Sequence, residues 1–516
     1  MLKIPFVTWI ANAAAGLTGS YGDIIRQAEV ADCSRQTIYD HAQKVQAAVE
    51  DAHHGGPTRA ELIERNQHLY QENAQLWVWL AQTVDFPPIK QREFSVTAAA
   101  MGLSLNQVLV LLALILGKQA CPGRSTLHRW TKAAGLAAGC VLKSLDAQCQ
   151  VLVLVGCLDE IFFHGRPVLV GVEPASMTWF LGQKSDDRSG ATWAKALRDW
   201  TALSYVTADA GTGLQAGIAA VQQERQEKGQ PSLENGLDVF HTTYEARRVL
   251  RLSWNRVERL WEQAESANRR VEQSQRQGQD ARGAAVAARW AWKKTEAAFA
   301  QYERSEAGWK IAHGALSVFR PEGHLNDRAW GEQQIALALP MLSGREWSKV
   351  GNFLQAQETL TFLDRVHRQL REAVPEDSLR AELVRLWWLR RQRPRAKTTG
   401  ADVGAGHVAH LVQQVVCHQV DATWRKSYEA VARVLRLTVR ASSAVECMNS
   451  VLRMHQSRHK TVTQDLLDLK RLYWNCRAFR EGKRRGRCPY EHLGLKLPSY
   501  RFWDLLWMTI PAAEAI

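Results

Sequence analysis

The feature that most constrains this chain begins at Val151, where helical texture gives way to short, continuous apolar runs. VLVLVGCLDE, RPVLVGVEP and MTWFLGQKS each read as a strand, and Gly165, Arg166 and Pro167 supply a turn between the first two. ATWAKALRDW then reads as a compact helix, LSYVTADAG as a further strand, GTGLQAGIAAVQQERQ as a second helix, and GLDVFHTT as a last strand leading into a helix. The order β-β-β-α-β-α-β-α predicts a mixed five-stranded sheet with helices packed on it.

Two of the runs end in acid. Asp159 closes the first strand and Asp209 the fourth. The element order is that of an RNase H-like core, in which those two strands are neighbours and both carboxylates reach one edge of the sheet. For either acid alone, a turn residue capping the next element is the competing explanation. A third carboxylate is expected on a helix crossing that edge. Glu446 in SSAVECMNSVLR is best placed, and Asn449, three residues on, shares its helix face. With Ser443 as N-cap, Glu446 also falls at the N3 position of a capping box, a role compatible with ligation. Converging carboxylates suit hard cations, and two Mg²⁺ ions about 4 Å apart can both generate a nucleophile and stabilise the leaving oxygen in phosphodiester chemistry. Asp159, Asp209 and Glu446 are therefore the expected catalytic and metal-binding residues, with Mn²⁺ able to substitute. Asp159 would bridge both ions, with Asp209 and Glu446 each holding one.

The pattern of Asp on the first strand, Asp after the fourth and Glu on a late helix resembles the DDE transposase superfamily, over residues 151–250 and 441–494. Asp238-Val-Phe-His241 is similar to the C/D-x-x-H motif of the branch that carries a large helical insertion before the final Glu, as hAT and Mutator-like transposases do. The resemblance implies that Asp238 and His241 support the active site and the DNA being cut. Asp238 competes with Asp209 as the second acid. Asp209 ranks first because it closes the strand that pairs with the first, and His241 has the alternative of a core histidine. The tail from Asn449 to the Pro-Tyr-Glu-His-Leu-Gly turn looks like the end of bacterial insertion-sequence transposases.

The rest of the chain fits a nucleic-acid partner. Net charge is +14 over 516 residues, which suits a polyanion, since each Lys or Arg placed on a phosphate releases a counterion. Residues 21–45 outline a helix-turn-helix whose second helix would offer Arg35, Gln36 and Tyr39 to a major groove; a plain helical hairpin is the alternative. Leu62, Leu69 and Leu76 recur every seven residues, with Asn66, Asn73 and Leu80 at the other core position, a short pattern that favours a parallel dimer or packing within one chain. Arg453, Arg458, Lys460, Lys483, Arg484 and Arg485 are expected on the DNA backbone, or else as a solvated face.

Between residues 251 and 440 the strands stop. Ten of the chain's 20 tryptophans lie there, so an inserted helical domain with an aromatic-rich core is expected. The nine scattered cysteines form no CxxC pair and read as reduced structural thiols. No apolar stretch long enough to span a bilayer occurs, and a protein that stays in the cytoplasm is expected.

The expected organisation is a helix-turn-helix DNA-binding region (1–56), a short coiled-coil helix (57–84), a second helical DNA-binding region (85–148), the first part of an α/β RNase H-like core (149–250), an all-α insertion (251–440), and the last part of the core with the Glu helix and a basic tail (441–516). The function expected is that of a transposase working on double-stranded DNA as a homodimer or larger oligomer. The alternatives are an RNase H-like nuclease or resolvase without strand transfer, and a transposase-derived regulator that no longer turns over.

Overall fold

The architecture is taken from a computed structural model that describes residues 4–20, 22–53, 55, 57–83, 86–392, 401–456 and 462–508. The chain divides into a small helical unit, residues 1–87 with 115–117, and a large unit made of the remainder.

The small unit begins with helices Phe6–Thr18, Asp23–Val30 and Arg35–His53. A buried polar relay joins them: Gln27 donates to Asn12 Oδ1 at 2.8 Å, and Asn12 Nδ2 lies 3.3 Å from His41 Nδ1. The turn before the third helix places Asp32 at φ 46, and the Ser34 hydroxyl accepts the Thr37 amide at 3.1 Å, capping the helix start. Helix Arg59–Thr83 follows, and Leu62, Asn66, Leu69, Asn73 and Leu76 along it are all exposed, so the heptad row has no partner among the described residues of its unit. The side chain of Leu80 lies outside the described residues.

The large unit is built on one mixed sheet. Its strands are β1 (Val155–Phe163), β2 (Arg166–Glu173), β3 (Thr178–Lys184), β4 (Tyr205–Ala208) and β5 (Glu234–Leu237), in the order β3-β2-β1-β4-β5. The pairs β1–β2 and β2–β3 are antiparallel, while β1–β4 and β4–β5 are parallel. His164 (φ 48) and Gly165 (φ 80) make the tight turn between β1 and β2, so the turn sits one residue earlier than expected and Arg166 and Pro167 belong to β2.

Side-chain alternation sends Cys157, Ile161 and Phe163 to one face, where they pack with Ala444, Val445, Met448 and Leu452 of helix Ser443–Gln456. Leu158 goes to the other face, joining Trp193, Leu197, Leu214 and Ile218 of helices Gly190–Leu197 and Thr212–Glu227. Both faces are covered, which is why β2 is apolar and buried along nearly its whole length.

Two expectations change here. The region expected as a second DNA-binding unit is part of the main core: Val96 and Ala100 of helix Pro88–Met101, and Ala134, Val141 and Leu145 of helix Arg124–Cys149, share one cluster with the sheet. The helical segment after β5 begins earlier than expected, with helix Val239–Arg276, which turns back through helix Arg282–Ala315. Its core holds Trp309, Trp347 and Trp424, whereas Trp254, Trp261 and Trp290 are exposed on this hairpin, so the aromatic-rich core is smaller than their number implied. Among the described residues the cysteines are all free, and no helix is long and apolar enough to cross a membrane.

Close approach fixes one loop beside the sheet edge. A Cβ added at Gly213 would stand 1.9 Å from the carbonyl oxygen of Arg188, so only glycine lets helix Thr212–Glu227 start where it does. Gly213→Ala is expected to lower the melting temperature by several degrees, whereas Gly283→Ala, with nothing within 4 Å, should leave it unchanged or slightly raised. Thermal unfolding followed by circular dichroism distinguishes the two.

Candidate functional site

Asp159 lies in the middle of β1 rather than at its end. It occupies the position just beyond Leu158↔Ala208, where the parallel pairing with β4 stops while β1 runs on beside β2. Its carboxylate thus emerges at the sheet edge on the face covered by helix Ser443–Gln456. Asp209 is the first residue past β4. The expected adjacency of the two strands that carry these acids is observed, as β1 and β4 pair in parallel.

Asp159 is 8% exposed. Its Oδ1 accepts the Glu160 amide at 2.8 Å, and its Oδ2 accepts Asn449 Nδ2 at 2.7 Å, from 290 residues further along the chain. Burial, with the Asp209 and Glu446 carboxylates added, pushes its pKa up to about 7. Asn449 Oδ1 is itself buried and has no partner among the described residues.

Glu446 stands one turn before Asn449. The capping box is not formed: Ser443 is already helical, and the Glu446 carboxylate turns to His241 Nε2 at 3.2 Å and Arg453 Nη2 at 3.5 Å. Those contacts, His241 first, hold its pKa below the ordinary range. Ligand atoms of Asp159, His241 and Glu446 all lie within 4.8 Å of one another. Asp209 is outside this trio. Its Oδ1 accepts the Gly211 amide at 3.0 Å, as a turn acid does, while its charge still reaches Asp159.

Asp238 plays another part. It is 1% exposed and caps helix Val239–Arg276, accepting the Phe240 amide at 2.8 Å and the Ser442 amide at 3.0 Å on Oδ1. Its Oδ2 meets His241 Nδ1 at 2.5 Å and the Ser442 hydroxyl. Burial works to raise its pKa, but the bonds from His241 and Ser442 prevail and hold it low. Both oxygens of Asp238 are thus doubly occupied by hydrogen bonds, whereas those of Asp209 are not. His241, bridging Asp238 and Glu446, has its pKa raised to about 10, first by Asp238. It is an imidazolium linking two carboxylates rather than a core histidine. Ser442 is the residue that sequence reasoning missed, since Ser443 beside it reads as the cap.

The expected DNA contacts divide. Arg35, Gln36 and Tyr39 are exposed at the start of helix Arg35–His53, with Gln36 bonded to Asp40 at 2.9 Å. Arg453 is tied to Glu446, Lys483 and Arg485 are exposed, and Arg458 and Lys460 lie outside the described residues. Arg484 corrects the expectation. Its guanidinium donates to the carbonyls of Ala175 at 2.7 Å and Pro174 at 2.6 Å, pinning the turn between β2 and β3, so it has a structural task.

Comparison of the chain with protein-family models, curated proteins and solved structures found no match.

Two outcomes follow. Arg484→Ala should cost roughly 1–3 kcal/mol of stability, the loss of a charged donor from two carbonyls, and Lys483→Ala almost none, measured by denaturant unfolding. For His241→Gln in chelator, the sign comes from two shifts. The His241 contribution is complete below its ordinary pKa of 6.5 and is lost as pH rises through about 10. The Asp238 contribution is present above its ordinary 3.8 and is lost as pH falls below it. The variant should therefore be destabilised most between about pH 4 and 6.5, by roughly 1–2 kcal/mol after solvent screening of a 39% exposed ring, and the deficit should shrink towards pH 10.

Proposed function

We propose that this chain is an RNase H-like DDE transposase that cuts DNA at the ends of a mobile element and joins them to a target. The observation that carries the reading is the convergence of Asp159 with Glu446 at the C-terminal edge of a parallel strand pair, after a long all-helical excursion between β5 and the Glu446 helix. The order β3-β2-β1-β4-β5, with Asp209 following β4, supports it.

The donor set fits Mg²⁺ or Mn²⁺. Asp159 and Glu446 offer hard oxygens, Asp209 a third within electrostatic reach, and the unpaired Asn449 Oδ1 a fourth. Asp159, Glu446 and Asp209 would hold the ions, which when bound would activate water and neutralise the leaving oxygen. The chain's own groups prepare this centre. Asn449 orients the Asp159 carboxylate. Asp238, held by Ser442, fixes the ring of His241, and His241 with Arg453 fixes Glu446. The raised pKa of Asp159 comes first from burial, with the Asp209 and Glu446 carboxylates adding to it.

The exposed ends of Arg35, Gln36 and Tyr39 would read duplex DNA from the small unit, and the row of Leu62, Leu69 and Leu76 would pair two copies of the chain.

The test uses the full chain, DNA carrying the sequences that flank its own coding region, and Mg²⁺ or Mn²⁺. Wild type should yield cut ends and joined products, and Asp159→Asn, Asp209→Asn and Glu446→Gln should each lose at least about a hundredfold in rate with DNA binding retained. Cutting without joining would favour the nuclease reading. Full activity in Glu446→Gln would remove Glu446 from the centre.

A further inference from the structure

Beside the acidic cluster, on the opposite face of β1, lies a second charged pair, Glu160 with Arg188. Glu160 follows Asp159, and strand alternation turns it away, towards the layer of helices Gly190–Leu197 and Thr212–Glu227. Its side chain is 7% exposed. Oε1 accepts Arg188 Nη1 at 2.7 Å, and Oε2 is buried with no partner among the described residues. Burying a carboxylate on a single ion pair costs about as much as the pair returns, so stability does not account for it.

Arg188 is firmly held. Asp187 accepts the Ser189 amide at 2.9 Å and the Thr192 hydroxyl at 2.6 Å, and Ser189 caps helix Gly190–Leu197 by accepting the Thr192 amide at 3.3 Å. The Arg188 carbonyl lies against Gly213, four residues after Asp209. The guanidinium stands 5.4 Å over the ring of Phe162. Yet the Arg188 side chain is 60% exposed, and among the described residues one of its N–H donors is engaged. The result is a guanidinium anchored from behind, with its remaining donors turned to solvent at the flank of Asp209.

We infer that Arg188 is an anion-binding residue that takes a non-bridging oxygen of a DNA phosphodiester next to the acidic cluster, with Glu160 as its positioning residue. The inference rests on the reading of the chain as a DNA-processing enzyme and adds the contact that orients the strand. A planar guanidinium matches two phosphate oxygens where a lysine ammonium offers a point charge. A cation of fixed position beside several carboxylates also offsets the repulsion that an incoming phosphate would meet.

The test compares full-length wild type with Arg188→Ala, Arg188→Lys and Glu160→Gln, using the melting temperature as a check on folding. A labelled duplex of the flanking sequence is titrated at several salt concentrations, and cleavage of the same DNA is followed. Arg188→Ala should weaken binding roughly tenfold and reduce the salt slope by about one. Arg188→Lys should keep the slope and raise KM several-fold, because charge remains and the fork is lost. Glu160→Gln should also raise KM, more than it lowers kcat, which a purely structural role would not do. A wild-type salt slope in Arg188→Ala, or a wild-type KM in Arg188→Lys, would overturn the assignment while leaving the transposase reading intact. A wild-type chain that binds no duplex would overturn both.

Discussion

The carboxylate of Asp238 is the contact on which the site depends. It accepts both the amide and the hydroxyl of Ser442, 204 residues further on, and next to it the Val239 amide donates to the Arg440 carbonyl at 3.1 Å. The long helical excursion therefore leaves and rejoins the sheet domain at a single buried point. Because Ser442 directly precedes the helix of Glu446 and Asn449, the same carboxylate sets where that helix starts. A buried charge with four partners tolerates little displacement, since any lost bond leaves it unpaired in a dry place.

From that point the electrostatics run outward in order. Asp238 fixes His241, His241 and Arg453 fix Glu446, and Asn449 fixes Asp159. The imidazolium offsets part of the negative charge, but Asp159 still carries a pKa raised to about 7, chiefly through burial. Under the proposed function, a metal cation bound there would replace the carboxyl proton.

Much of this was legible in the sequence because it depends on local pattern. Five apolar runs marked the strands in chain order, although the first runs on past Asp159, and SSAVECMNS marked the helix with Glu446 and Asn449. The misreadings share one cause: local sequence does not say which distant group a side chain will meet. Ser443 reads as the helix cap, whereas it is already helical and the preceding Ser442 bonds Asp238. Arg484 sits in a basic turn that resembles a phosphate contact, yet donates to a carbonyl 310 residues earlier. Asp209 ranks over Asp238 in the sequence only through the assumed strand pairing, and the partners that occupy Asp238 lie beyond local sequence. The apolar helices between residues 88 and 149 carry no mark to distinguish a separate module from core, and the structure packs them into the core.

The most direct measurement of the central claim, that Asp159 and Glu446 form one cation-binding centre, is Mn²⁺ titration of the full-length chain by electron paramagnetic resonance, comparing wild type with Asp159→Asn and Glu446→Gln. Saturable binding by wild type, weakened at least about tenfold in each variant with the fold intact, is the expected result. Equal Mn²⁺ affinity in all three proteins would contradict it.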